Sequence, residues 1–228
     1  MKVESCEAKL KHQGIKAVVF DLDGTLLDTL DDLANATNWA LRWNGLPERT
    51  LDEVRQFVGN GVQQLIRRAV PEGTSEEVFR KTFSDFKQYY VVHCQEKTCL
   101  YDGVPEMLKA LKSQGYRLAI VSNKLQAGVD ELYERYFNDT VEVAVGERPE
   151  VNRKPAPDMV MAALAALGVT ADEAVYVGDS DVDLQTARNS GLPCISVLWG
   201  FRDCDFLVGH GATTMISTPA ELVNLLIR

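Results

Sequence analysis

Residues 17–26 read Ala17-Val18-Val19-Phe20-Asp21-Leu22-Asp23-Gly24-Thr25-Leu26, a short apolar run that stops at two carboxylates and a glycine. Four consecutive apolar residues are too few for a helix and suit a strand buried on both faces. Asp, Gly and Thr then turn the chain. Working outward, residues 118–121, 141–145, 174–177 and 194–198 have the same character, most of them rich in Val and Ile. Amphipathic segments separate them. Met159, Val160, Ala163, Leu164 and Leu167 recur at helical spacing ahead of Gly168, a natural stop. Near the end, Thr218-Pro219-Ala220-Glu221 places a cap, a first-turn proline and a capping-box glutamate before residues 222–227. Strands alternating with helices predict an α/β fold: a doubly wound, Rossmann-like parallel sheet with helices on both faces.

One region breaks that rhythm. From residue 29 to about residue 100 the pattern is almost entirely helical. Leu30, Leu33, Thr37, Ala40 and Leu41 share one helical face, which Asn44-Gly45 ends; Val62, Leu65, Ile66 and Ala69 mark a second helix, and residues 78–92 a third. The expected organisation is therefore an α/β core built from residues 1–28 and 100–228, with a helical module, residues 29–99, inserted after the first strand.

The 228-residue chain is 46% hydrophobic and 25% charged, ordinary for a soluble globular protein. Its net charge of −9 argues against nucleic acid and anionic membranes as partners, because both need clustered Lys and Arg. Five cysteines (Cys6, Cys94, Cys99, Cys194 and Cys204) are an odd number at irregular spacings and fit neither a disulfide framework nor a zinc site. The first fourteen residues lack an apolar signal region, so a cytoplasmic protein is the expectation.

In an open parallel sheet, ligands bind beyond the carboxyl ends of the strands. Three polar clusters fall there: Asp21-Leu22-Asp23-Gly24-Thr25, Ser122-Asn123-Lys124, and Gly178-Asp179-Ser180-Asp181-Val182-Asp183. A fourth, Asn152-Arg153-Lys154-Pro155, opens the Met159 helix. Asp21 and Asp23 lie two apart, so an extended backbone sends both carboxylates to one side, where they repel. A hard cation relieves that repulsion, and Mg²⁺ suits a site of a few carboxylates completed by phosphate and water. Asp179 is the natural third oxygen donor, with Asp183 placed to orient a ligand or water. An ionised Asp21 can attack phosphorus, and Asp23 can act as general acid and then general base. Lys154 supplies fixed positive charge and Ser122 a hydrogen bond to a phosphoryl oxygen.

These four ordered motifs, from Phe20-Asp21-Leu22-Asp23-Gly24-Thr25-Leu26 to Gly178-Asp179-Ser180 with Asp183, resemble the signature of the haloacid dehalogenase superfamily. The resemblance implies that Asp21 is the nucleophile and Asp23 the acid/base group. It gives Ser122, Asn123 and Lys154 to the phosphate, and Asp21, Asp23 and Asp179 to Mg²⁺, with Asp23 reaching the metal through its backbone carbonyl and keeping its carboxyl group for proton transfer. Thr25, Gly178, Ser180 and Asp183 would support the site. The long insert takes the position of a helical cap between the first and second motifs, while the stretch from Asn123 to Arg153 leaves little room for another.

Within the superfamily, Val58-Gly59-Asn60-Gly61 leading to Arg68-Ala69, together with Ser122-Asn123-Lys124 and Asn152-Arg153-Lys154-Pro155, looks most like the phosphoglycolate phosphatases. That resemblance favours 2-phosphoglycolate, a small phosphorylated metabolite. Nucleotides, pyrophosphate or sugar phosphates are the alternative substrates, and a sugar-phosphate mutase is the alternative reaction. Asn60, Gly61 and Arg68 are the cap residues that could govern specificity. Arg68 could pair with a substrate carboxylate or with a local acceptor, the commoner fate of such an arginine. Asp181 is expected to face solvent. Monomer and homodimer both stay open.

Overall fold

Strand β1, Ala17–Phe20, is buried along its whole length, as an unbroken apolar run in the middle of a parallel sheet must be. The computed structural model describes residues 14–149 and 151–227. Cys6, His12 and the expectation for the first thirteen residues lie outside them. The chain divides into two units: one holds the chain through Leu26 and from Leu100 onward, the other is Leu27–Cys99.

The second unit opens with β2, Leu27–Asp28, and continues as α1 (Leu30–Trp43), α2 (Leu51–Phe57), α3 (Val62–Ala69) and α4 (Glu76–His93). All five apolar-face residues expected of α1 are buried. Asn44 ends that helix, donating from its side chain to the Ala40 carbonyl (2.9 Å) and to Asp85 (2.8 Å). Helix α2 was not anticipated, although its start is written in the sequence. The Thr50 side chain accepts the Glu53 N–H, and Glu53 accepts the Thr50 N–H in return. Helix α4 begins two residues earlier than its apolar pattern suggested, because Ser75 caps it through the Val78 N–H. Buried Asp32 accepts from the backbone N–H groups of Lys97 and Thr98 and from the Thr98 hydroxyl, fixing the segment by which the chain leaves the unit. There β3 (Cys99–Leu100) pairs with β2.

The remaining elements alternate: α5 (Val104–Ser113), β4 (Arg117–Leu125), α6 (Gln126–Tyr136), β5 (Val143–Glu147), α7 (Asp158–Leu167), β6 (Ala174–Gly178), α8 (Asp181–Ser190), β7 (Cys194–Val197), α9 (Cys204–Gly209), β8 (Met215–Ile216) and α10 (Pro219–Leu226). With β1 they make a six-stranded sheet of order β5-β4-β1-β6-β7-β8, every neighbouring pair parallel. The five apolar residues expected of α7 are all buried, packed against Ala17, Val19, Ala119, Val121 and Tyr176.

Two local expectations need correction. Strand β4 runs nine residues, not four, and its pairing with β5 shifts register between Val121 and Leu125, so its polar end is a bulge. At α10, Thr218 and Pro219 stand at the N-cap and first position, but the Thr218 side chain caps no amide. Its hydroxyl donates to Glu221 (3.2 Å), and Glu221 reaches one residue further back to accept the Ser217 N–H (3.1 Å).

The topology fixes where chemistry can occur. From β1 the chain builds β4 and β5 on one side and β6, β7 and β8 on the other, so the order reverses around β1. Phe20 lies level with Ile120 and Val177. Asp21, Ser122 and Asp179 therefore leave the carboxyl ends of three adjacent strands at nearly one height, at the switch point of the sheet.

Candidate active site

Asp21 is locked to the sheet by its own N–H, which donates to the Val177 carbonyl at 2.9 Å. Its carboxylate, with those of Asp179 and Asp183, forms a buried cluster in which one oxygen of each lies within 4.8 Å of the others. Lys154 Nζ is 2.7 Å from Asp21 Oδ1 and 2.8 Å from Asp183 Oδ1. The Tyr176 hydroxyl closes this network, accepting from Lys154 (3.1 Å) and donating to Asp183 (2.9 Å). Ser180 caps α8 and ties the other oxygen of Asp183 through its N–H and hydroxyl. Gly178 makes room for this: a Cβ there would lie 2.4 Å from Asp183 Cγ.

Asp179 is held differently. The Phe201 N–H donates to its Oδ2 at 2.7 Å and the Thr25 hydroxyl approaches Oδ1 at 3.4 Å. Trp199 Nε1 donates to the Thr25 carbonyl (3.0 Å), so the loop after β7 braces both. Gly24 adopts a φ of 88°, which disfavours any other residue. Gly200 packs face-on, and a Cβ there would fall 2.4 Å from both Asp179 Cβ and the Gly24 carbonyl oxygen. Gly200→Ala is accordingly expected to displace the Asp179 loop and destabilise the fold by about 1–3 kcal/mol, which a shift in the denaturant midpoint measures.

Burial dominates the electrostatics. It pushes the Asp21 pKa well above the ordinary aspartate value, with Asp183 adding to the rise and Lys154 opposing it. Burial likewise raises Asp179, helped by Asp183, to about 7. For Lys154, burial alone would favour loss of the proton, but Asp183 and Asp21 outweigh it and hold the pKa above that of an ordinary lysine. Lys154 thus pairs directly with two of the three carboxylates, and the cluster carries more negative charge than that one ammonium group neutralises. An all-oxygen donor set with that excess suits a hard divalent cation.

The bulged end of β4 supplies the next residues. Ser122 is buried, and its Oγ accepts the Lys124 N–H (3.1 Å). Asn123 donates from Nδ2 to the Lys154 carbonyl (3.1 Å), while its Oδ1 is buried with no hydrogen-bond partner among the described residues. Asp23 does not join the carboxylate cluster. Its Oδ1 is held by Lys124 Nζ at 2.9 Å, so the carboxyl group expected to stand unengaged has a cationic partner. Asp181, at the first position of α8, is partly exposed and lies outside the cluster.

In the Leu27–Cys99 unit, Arg68 donates to the Phe57 carbonyl (2.8 Å) and to Asn60 Oδ1 (2.7 Å). The local fate is the one it adopts: it clamps the turn at Gly59-Asn60-Gly61, whose glycines have φ of 122° and 78°. Sequence reasoning missed Lys124, Tyr176 and Gly200. Lys124 stood beside two assigned residues, but a lysine far from Asp23 in sequence gives no sign of which carboxylate it meets. Tyr176 looked like one more strand residue.

A family model described as haloacid dehalogenase-like hydrolase matches residues 18–197. The chain is 34% identical to the phosphoglycolate phosphatase of Nitrosococcus oceani over 215 residues, 92% of each chain. It is 30% identical to that of Aquifex aeolicus, covering 93% of this chain and 97% of the relative. A crystal structure from Lactobacillus delbrueckii subsp. bulgaricus, described as a candidate phosphoglycolate phosphatase, superposes with a TM-score of 0.90 at 36% identity, covering 93% of this chain and 98% of the other.

Proposed function

The chain belongs to the haloacid dehalogenase-like hydrolase family, and from that premise we propose that it is a phosphoric monoester hydrolase acting on 2-phosphoglycolate through an aspartyl phosphate on Asp21. The observation that carries this reading is the buried contact of Asp21 with Lys154, within 4.8 Å of the Asp179 and Asp183 oxygens, at the switch point of the sheet. The relatives' names support the substrate.

Asp21 attacks phosphorus as the bond to the leaving oxygen breaks, and Asp23 gives that oxygen its proton. Asp23 then takes a proton from water, whose oxygen bonds to phosphorus as the bond to Asp21 breaks, releasing inorganic phosphate and restoring the carboxylate. Lys154, Ser122 and the unpartnered Asn123 Oδ1 line the place for the phosphoryl group, the first two with donors for its oxygens. Thr25, Gly178, Ser180 and Asp183 hold these groups in position. Asp21, Asp179 and the Asp23 backbone carbonyl would hold Mg²⁺. When bound, the ion supplies the positive charge that keeps Asp21 ionised and balances the phosphate. Asn60, Gly61 and Arg68 are the cap residues proposed to govern specificity, with Arg68 bonded to the Phe57 carbonyl and to Asn60 Oδ1.

The test is a substrate panel of 2-phosphoglycolate, nucleotides, pyrophosphate and hexose phosphates, each with Mg²⁺ and with EDTA. Phosphate release is expected to be fastest from 2-phosphoglycolate and to vanish with EDTA. Isomerised hexose phosphate without phosphate release would instead identify a mutase. Because Asp179 must lose a proton held up to about 7, the rise in melting temperature given by Mg²⁺ should grow from pH 5.5 to pH 8. An equal rise at both pH values would contradict the metal assignment.

A further inference from the structure

The Lys124–Asp23 pair is the contact that the mechanism above leaves unused. The two residues lie 101 apart in sequence, yet Nζ meets Oδ1 at 2.9 Å, and the side chains are only 9% and 19% exposed. Such a pair is shielded from the screening that makes surface ion pairs nearly worthless. The fold builds it deliberately. The β4 bulge takes Lys124 out of the regular ladder, and its backbone N–H is given to Ser122 Oγ. The neighbouring gap is patched by the Gln126 amide, which donates to the Ala144 carbonyl and accepts the Gly146 N–H. The aliphatic stem of Lys124 lies where a Cβ on Gly128 would touch it, at 3.5–3.7 Å.

A general acid works only within hydrogen-bond reach of the oxygen it protonates, and a displacement of about 1 Å can cost a hundredfold. Asp23 lies outside the Asp21–Asp179–Asp183 cluster, so its carboxyl group needs another anchor. We propose that Lys124 is that anchor: a positioning residue that fixes Asp23 through Oδ1 and leaves Oδ2 to carry the proton. In the first step the Oδ2–H bond breaks as the leaving oxygen gains its hydrogen, and the resulting carboxylate stays paired with Lys124. In the second step Oδ2 takes the proton back from water. The inference rests on the phosphatase reading above.

The experiment compares kcat/KM of wild type, Lys124→Met and Lys124→Arg on p-nitrophenyl phosphate and phenyl phosphate. The two esters have similar shape, but the phenoxide leaving group depends more on an acid. Asp23→Asn serves as the reference for a missing acid. Lys124→Met is expected to lose about tenfold more on phenyl phosphate than on p-nitrophenyl phosphate, reproducing the pattern of Asp23→Asn, and Lys124→Arg to recover much of that difference. An equal loss on both esters, the mark of a phosphate contact or a folding defect, would overturn the proposal while leaving the phosphatase reading intact. Absence of phosphate release by the wild type on either ester would overturn both.

Discussion

Asp21→Asn is expected to lower Mg²⁺-dependent phosphate release by about 10⁴-fold or more, the scale on which removing a covalent nucleophile acts. Asparagine has the same shape but cannot donate an electron pair to phosphorus as a carboxylate does. The same change should not unfold the protein. Burial, then Asp183, raises the Asp21 pKa, while Lys154 pulls it down. A carboxyl group with a raised native pKa contributes stability that is complete below its unfolded value, near 3.8, and lost as pH rises through the native value. Without metal, the ionised Asp21 is thus a burden at pH 8 that the neutral amide removes, and Lys154 keeps Asp183 as partner. The metal-free variant should melt at or above the wild-type temperature at pH 8, and that advantage should shrink toward pH 4. A variant that is inactive because it is unfolded would refute this account.

Lys154→Met separates activity from stability in the opposite way. The ammonium group touches Asp21, Asp183 and Tyr176, and Lys154 itself is buried. Breaking a buried ion pair by removing one partner costs about 3–5 kcal/mol, since the charges left behind have no compensation. Loss of one preorganised charge at the phosphate should lower kcat by about 10²–10³-fold. The stability loss carries a pH signature. Lys154 holds the Asp21 pKa down, so its removal moves that pKa further up and widens the range in which ionised Asp21 is penalised. The stability gap between variant and wild type should therefore grow as pH rises from 5 to 8. Chemical denaturation at three pH values checks this; a pH-independent gap would mean that the lysine acts by packing alone.

The contrast between these residues shows how much could be read in advance. Asp21, Asp179 and Ser122 each end an apolar run, and a strand's end in a parallel sheet is where ligands bind, so local pattern was enough to nominate them. The same holds for α1 and α7, whose buried faces follow a 3.6-residue period. Helix α2 was overlooked because it buries only Val54, too little for a periodic signal, although its capping box was present in the sequence.

What the sequence determined alone was therefore local: where strands stop, which helix faces are apolar, and which polar residues emerge at strand ends. The tertiary structure decided the partners. Lys124 could have met any carboxylate, yet a register shift in β4 gives it Asp23. Asp183 was expected to support the site, and the fold names the groups it meets: Lys154, Tyr176 and Ser180. Arg68 had two destinations, and the turn at Asn60 claims it. The physical reason is range. Period and propensity act over a few residues, whereas ion pairs and close packing depend on which distant segments the sheet brings side by side.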